Sequence, residues 1–222
     1  MSSRMTRIRL GAVTLAAAGL LFLLYPAVRP WADESTPEGA RQAMSSGAWV
    51  ASHLFAMIGF VLVGLGLLAL WAAVRRSAAE PLAGAAVVTT WVGAGLTLPY
   101  YGAETFGLHA VAVAAEAQGV ALLEVVEGFR FHPVAITTFG LGLVALAVGA
   151  VLAAVAIRWS GVLPRHAGLL FALGFVLFLP QFFAPAAVRI GHGALLALGC
   201  AWVGLALWRA AAPAPQARAT QP

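Results

Sequence analysis

Long runs of uncharged apolar residues dominate this chain and constrain its fold more than any other feature. Charged residues occupy 9% of the 222 positions, and 62% of the positions are hydrophobic. The mean hydropathy of +0.92 is far above that of a water-soluble domain. Several runs reach the roughly 20 residues that an α-helix needs to cross the hydrocarbon core of a bilayer. The sequence therefore predicts an all-α protein that crosses a membrane several times, since helices satisfy their backbone hydrogen bonds in lipid.

The positions of these runs predict six membrane spans. Their approximate bounds are 10–28, 48–74, 82–101, 133–157, 167–185 and 190–208. Residues 1–209 thus form one predicted membrane domain. The Pro- and Ala-rich residues 210–222 are predicted to be a disordered cytoplasmic tail.

The segment 102–132 is too long for an ordinary connection between spans and is rich in Ala, Val and Leu. It also carries four acidic residues, which disfavour a further span: Glu104, Glu116, Glu124 and Glu127. We expect one or two amphipathic helices on the outer surface of the bundle, with a break at Gly119.

The arginines predict the orientation of the spans. All 13 basic residues are arginines, and the excess falls on one side when both termini are cytoplasmic. That side has Arg4, Arg7, Arg9, Arg75, Arg76, Arg158, Arg165, Arg209 and Arg218; the outer side has Arg29, Arg41, Arg130 and Arg189. Arginines placed singly or in pairs at span ends are a topology signal, so no nucleic-acid partner is expected. The Ala- and Arg-rich, Lys-free composition indicates a bacterial chain, and we expect it in the cytoplasmic membrane.

The stretch PYYGAETFGLHA introduces polar groups at the end of the third predicted span. At helical spacing Thr97, Tyr101 and Glu104 share one face, which runs inward from the outer end of the helix. A carboxylate at that depth normally faces the bundle interior or a watery cavity. Glu104 is therefore a candidate general acid or base, with Tyr101 and His109 as candidate assisting residues. In the other interpretation, Glu104 is the first solvated residue beyond the membrane.

Further polar side chains are predicted near the outer ends of other spans. Together they form a layer of candidate ligand-binding residues: His53, Thr97, Tyr100, His132, Gln181 and His192. No HxxxH, HExxH or CxxC spacing occurs, so neither a metal nor a cofactor is predicted.

Three functional classes are compatible with such a layer. In the first, an outward-facing pocket binds a lipid or another apolar ligand without chemistry. In the second, the protein is an integral membrane enzyme that uses Glu104 on an isoprenoid-like substrate. In the third, it is a subunit that contacts a partner protein and holds no ligand. Membrane lipids are the expected surroundings, and the sequence leaves oligomerisation open.

The stretches ASHLFAMIGFVLVGLGLLALWAAVRR and LPRHAGLLFALGFVLFLPQFFAP resemble those of small multi-span membrane proteins common in actinobacteria, most of them uncharacterised. That resemblance implies the membrane fold and no activity. The combination of few spans, a carboxylate near a span end and many aromatic residues is also similar in outline to membrane-embedded terpene cyclases. This second similarity implies an isoprenoid-like substrate.

Overall fold

A computed structural model describes residues 3–212 of the protein as an all-helical bundle. The predicted cytoplasmic tail lies outside the described residues from 213 onward. Among the described residues, five helical segments are long and apolar enough to cross a membrane. These segments are α1 (Ser3–Val28), α3 (Gly47–Ala73), α4 with its continuation (Glu80–Ala115), α7 (Pro133–Trp159) and α9 (Ala186–Ala210). The prediction of an all-α fold is thereby confirmed, and the five segments are candidate membrane spans.

Five shorter helical elements extend or connect these segments. They are α2 (Pro37–Met44), a π-helical turn (Ala103–Gly107), α5 (Leu108–Gln118), α6 (Leu122–Arg130) and α8 (Leu169–Val176). A 3₁₀ turn at Pro180–Phe183 precedes α9. The long helix α4 itself ends at Gly102, where the π turn takes over.

Small residues allow the long helices to pack closely, and the contacts between them show the directions in which the helices run. Gly11 and Leu15 of α1 lie against Ala69 and Gly66 of α3, in reverse order along the chain. Ala12 and Gly19 of α1 likewise lie against Gly204 and Cys200 of α9, so α1 runs antiparallel to both neighbours. A Cβ on Gly93 of α4 would lie 2.7 Å from the backbone nitrogen of Leu146 in α7. Backbones this close associate through van der Waals contact, since lipid supplies no hydrophobic driving force between helices.

The fifth predicted span, 167–185, does not form one long helix. Its helical core is α8, which ends at Val176 and is followed by turns up to the 3₁₀ helix. Pro180 explains this end, because it has no N–H to donate to the Val176 carbonyl four residues earlier. Even so, Gly168 lies against Ala154 of α7 and Gly174 lies against Leu196 of α9. The segment therefore follows α9 in the antiparallel direction from the end of α7 to the start of α9.

The predicted third span, 82–101, is longer in the structure than expected. The helix continues through the π turn into α5 and ends only at Gly119, whose φ of 65° terminates it in the left-handed conformation. The predicted break at Gly119 is thus confirmed. Beyond it, α6 buries Leu122 and Val126 and exposes Glu124 and Glu127, as an amphipathic helix does.

The helices α2, α5 and α6 pack together over one end of the bundle, and we call them the cap. They share an apolar cluster with the first turn of α3: Ala40, Ala43, Met44, Trp49, Leu108, Ala112, Ala115, Leu122 and Val126. A separate and larger cluster fills the bundle below. The cap end contains the start of α3, α7 and α9, and the opposite end contains the start of α1 and α4.

Candidate functional site

A cavity of about 450 Å³ lies at the cap end, between the bundle and the cap. Every long helix contributes to its wall. Its lining combines aromatic rings, aliphatic side chains and five charged groups: Tyr25, Arg29, Glu34, His53, Tyr100, Tyr101, Glu104, Arg130, Phe131, Ile136, Phe139, Gly140, Leu179, Phe182, Phe183 and Arg189. Its volume is within the range of small-molecule pockets.

One wall of the cavity is a chain of alternating charges, which we call the charge ladder. Arg130 lies at the end of α6 and donates two hydrogen bonds to the buried carboxylate of Glu104. Their lengths are 2.7 Å from Nε and 2.9 Å from a terminal nitrogen. The same guanidinium lies 3.0 Å from Glu34, and Glu34 also pairs with Arg29. The ladder thus ties α6 of the cap to the end of α1 and to the continuation of α4.

Two of the ladder residues, Glu34 and Arg130, have displaced pKa values. Burial raises the pKa of Glu34, but Arg29 and Arg130 outweigh that effect and hold it below its ordinary value. Burial lowers the pKa of Arg130, yet its bonds to Glu104 and Glu34 outweigh this and raise it. Each group therefore stays charged because its neighbours are charged.

Trp49 supports the ladder from below. Its side chain is fully buried, and the Arg29 guanidinium lies over its ring at 4.6 Å, a cation–π contact. Its indole N–H donates a 2.7 Å hydrogen bond to the backbone carbonyl of Glu104. Glu104 lies in the π turn, Ala103–Gly107. The π turn and Trp49 together fix the position of Glu104.

His53 extends the ladder into the bundle. Its Nδ1–H donates to the Trp49 carbonyl at 2.8 Å, since a carbonyl can only accept. The opposite ring nitrogen, Nε2, then has a free lone pair and accepts from Arg29 at 3.3 Å. The imidazole is accordingly a neutral acceptor that orients Arg29.

The opposite side of the cavity is apolar and reaches the surface of the bundle. Its edge lies between the first turns of α7 and the turn that follows α8, where Ile136 and Gly140 face Leu179 and Phe183. Phe183 is 89% exposed, and Phe131, which also lines the cavity, is 69% exposed. These side chains form an apolar mouth on the side of the bundle.

Arg189 lies in the cavity wall apart from the ladder. Its Nε donates a 3.0 Å hydrogen bond to the buried side chain of Gln181, and its guanidinium lies over the rings of Trp31 and Phe182. Among residues 3–212 it has no carboxylate partner within ion-pair distance.

The structure brings four of the predicted site residues together. His53, Tyr100, Tyr101 and Glu104 all line the cavity. Tyr101 is 2% exposed and its hydroxyl makes no hydrogen bond with a described residue, although the Tyr25 ring stands beside it.

The other five predicted site residues do not line the cavity. Thr97 donates to the Gly93 carbonyl within its own helix, and His192 contacts the Gly174 carbonyl at 2.7 Å. His109 contacts the Met44 carbonyl in the cap, and His132 is exposed at the start of α7. Gln181 touches the site only through Arg189.

The residues that sequence reasoning missed are mainly charged: Arg29, Glu34, Arg130 and Arg189. One sequence signal pointed to the arginines, because three of the four assigned to the outer side gather at this cavity. An arginine on the side that the orientation bias disfavours is expected to have a specific partner or role at that position.

The geometry of Glu104 limits its chemistry. Both of its carboxylate oxygens accept hydrogen bonds from Arg130, so the ion pair occupies them in this arrangement. Within residues 3–212, no three or more His, Cys, Asp or Glu side chains are grouped closely enough to hold a metal ion. The site thus combines charged groups and aromatic rings around one cavity.

Comparison with protein-family models, with curated proteins and with solved structures gives no match to this chain.

Proposed function

We propose that this protein is a six-span bacterial cytoplasmic-membrane protein whose cavity faces the outer side and binds a lipid or another apolar ligand. The single observation that carries the proposal is the cavity itself. It has an apolar mouth on the side of the bundle and a charged wall beneath the cap. A molecule with an apolar part and a polar part fits both surfaces, and it reaches the mouth directly from the membrane.

The sixth crossing is supported by the directions of the helices. Both α7 and α9 run from the cap end to the opposite end, so the chain between them has to return across the bundle. The segment from Gly168 to Phe183 makes that return beside α9. In its interrupted stretch Phe178 and Gln181 are buried in the protein, and Leu179 and Phe183 line the cavity. Non-helical backbone is tolerated at membrane depth where it is buried in protein or lines a cavity.

The arginine bias supports placing the cap end outside. The opposite end contains most of the arginines among the described residues, and Arg4 and Arg9 there contact the ends of α3 and α9. We expect a cysteine at Gln42, exposed in α2, to react with a membrane-impermeant reagent on intact cells in a Cys200→Ala background. A cysteine at Ala78, exposed at the opposite end, should react only after the cells are opened. The reverse pattern would overturn the orientation.

Blocking the cavity is the direct test of ligand binding. Gly140 lines the mouth and has open space beside it, so Gly140→Phe should fill the mouth without a clash. The neighbouring Leu141 is 59% exposed on the outside of the bundle, and Leu141→Phe is the matched control. We expect mass spectrometry of the purified protein to show a co-bound amphiphile in the wild type and in the control, and to show it depleted in Gly140→Phe.

A result in which all three proteins carry the same lipids, or none, would contradict the proposal. Equal melting temperatures for the two variants would show that the comparison is not distorted by misfolding.

The enzyme alternative is supported by aromatic rings at the cavity. Tyr100 stacks on Phe139 at 4.2 Å, and ring faces of this kind stabilise cationic intermediates such as those of isoprenoid chemistry. The alternative needs Glu104 to exchange a proton, which its ion pair with Arg130 opposes. Turnover of an isoprenoid diphosphate that is lost in Glu104→Gln would favour the enzyme over the binding protein. The partner-subunit alternative predicts instead an empty cavity and a co-purifying protein.

A further inference from the structure

Arg189 points to the chemical class of the ligand. We infer that the cavity takes an amphiphile with a single oxyanion headgroup, a carboxylate or a phosphate, and that Arg189 binds this headgroup. The inference rests on the proposed function and goes beyond it by assigning a charge to the ligand and a residue to its recognition.

The first support is the charge of the cavity wall. Three arginines and two carboxylates line it, so one positive charge has no counterpart. The ladder shows which arginine this is. Glu104 pairs with Arg130, and Glu34 is shared between Arg130 and Arg29. Arg189 is the arginine of the lining that no described carboxylate neutralises.

The second support is how Arg189 is held. Gln181 takes the Nε hydrogen, and the rings of Trp31 and Phe182 lie at 4.9 and 5.2 Å from the guanidinium carbon. The two rings contact the guanidinium carbon, and the hydrogen bond to Gln181 uses Nε. Its two terminal nitrogens make no hydrogen bond to any residue between 3 and 212. Such a pair of donors matches the two oxygens of a carboxylate or a phosphate.

The third support is an additional buried donor in the same lining. The Tyr101 side chain is 2% exposed, and its hydroxyl, which has the Tyr25 side chain as a neighbour, makes no hydrogen bond of normal geometry with a described residue. A buried hydroxyl without a partner is costly, and a ligand oxygen that accepts from it removes that cost. Arg189 and Tyr101 can both donate to an anion.

The mouth explains why the anion should have an apolar tail. Phe182, which covers the Arg189 guanidinium, is next to Phe183, which stands exposed at the apolar edge. A headgroup at Arg189 therefore leaves a tail close to the mouth. A small soluble anion would contact Arg189 and would leave the apolar mouth empty.

The test compares probes that share a tail and differ in headgroup. The full-length protein in nanodiscs of zwitterionic lipid is titrated with hexadecanoate, hexadecyl phosphate, hexadecanol and hexadecyltrimethylammonium, and inorganic phosphate serves as the tail-free probe. We expect the two anionic amphiphiles to bind with dissociation constants at least about tenfold lower than that of hexadecanol. A charge-assisted hydrogen bond in a partly buried site contributes that much to the affinity. The cationic probe should bind most weakly.

Variants assign the preference to Arg189. Arg189→Gln should remove the preference for the anionic probes and leave hexadecanol binding within about twofold of the wild type. Arg189→Lys should restore part of it, since lysine keeps the charge and loses the two-pronged geometry. Arg41→Gln, which removes a cap-end arginine that pairs with Glu38 outside this cavity, should keep the full preference.

Three results would overturn the inference. If hexadecanol binds as tightly as hexadecanoate, the headgroup assignment fails while the lipid-binding function stands. If no probe binds, the proposed function fails along with it. If inorganic phosphate competes as well as hexadecyl phosphate, the site takes a soluble anion and not an amphiphile.

Discussion

Arg130→Gln is expected to destabilise the protein by about 3 kcal/mol or more, and adding Glu104→Gln is expected to restore much of that loss. The single change leaves the carboxylate of Glu104, which is 6% exposed, without a counter-charge. An uncompensated buried charge costs about 3–5 kcal/mol, whereas removing both partners of such a pair costs much less. Glu104→Gln alone should have a smaller effect than Arg130→Gln, because Arg130 keeps Glu34.

Thermal melting and denaturant titration of the four proteins in one detergent would measure this cycle. Arg41→Gln is the control, since Arg41 pairs with the exposed Glu38 at the surface, and such a pair contributes about 0.5 kcal/mol or less. A double variant that is less stable than Arg130→Gln would contradict the ladder as described.

Trp49→Ala is expected to cost about 3–5 kcal/mol, the range for deleting a large buried aromatic side chain. The loss has three sources: the cavity left between cap and bundle, the cation–π contact with Arg29, and the hydrogen bond to the Glu104 carbonyl. Trp49→Phe keeps most of the ring contact and loses only the indole N–H, so its effect should be smaller.

Trp159→Ala provides the matched comparison for Trp49. Trp159 ends α7 and is 64% exposed, so its removal leaves no buried cavity. The melting temperature should fall strongly in Trp49→Ala and little in Trp159→Ala. Equal shifts in these two variants would mean that Trp49 does not hold the cap to the bundle.

Much of the fold could be predicted because the signals that define it are local. An apolar run of about 20 residues predicts a span wherever it occurs, and the glycine at 119 marks a helix end through its own backbone freedom. The division of 167–185 was harder to predict. Whether Pro180 only bends a span or ends the helix depends on which neighbouring helix accommodates the interrupted backbone.

The candidate site could be predicted only in part, for a physical reason. Tyr101 and Glu104 share a face of a single helix, and helical spacing is visible in the sequence. The pairing of Glu104 with Arg130 joins residues on different elements, and no spacing rule predicts it. The same pairing explains why the helix continues past the predicted span end, because a neutralised carboxylate costs less at that depth.

The position of α1 between α3 and α9 has a consequence for biosynthesis. Tyr25 and Arg29 emerge early from the ribosome, whereas Arg189 and the α9 surface that covers α1 are made near the end of translation. Until α9 is made, the face of α1 that α9 later covers, including Gly19, stays exposed to lipid or to the insertion machinery. The cavity is consequently completed only once α9 has been made. A nascent chain that stops before α9 contains the residues of the charge ladder but lacks Arg189.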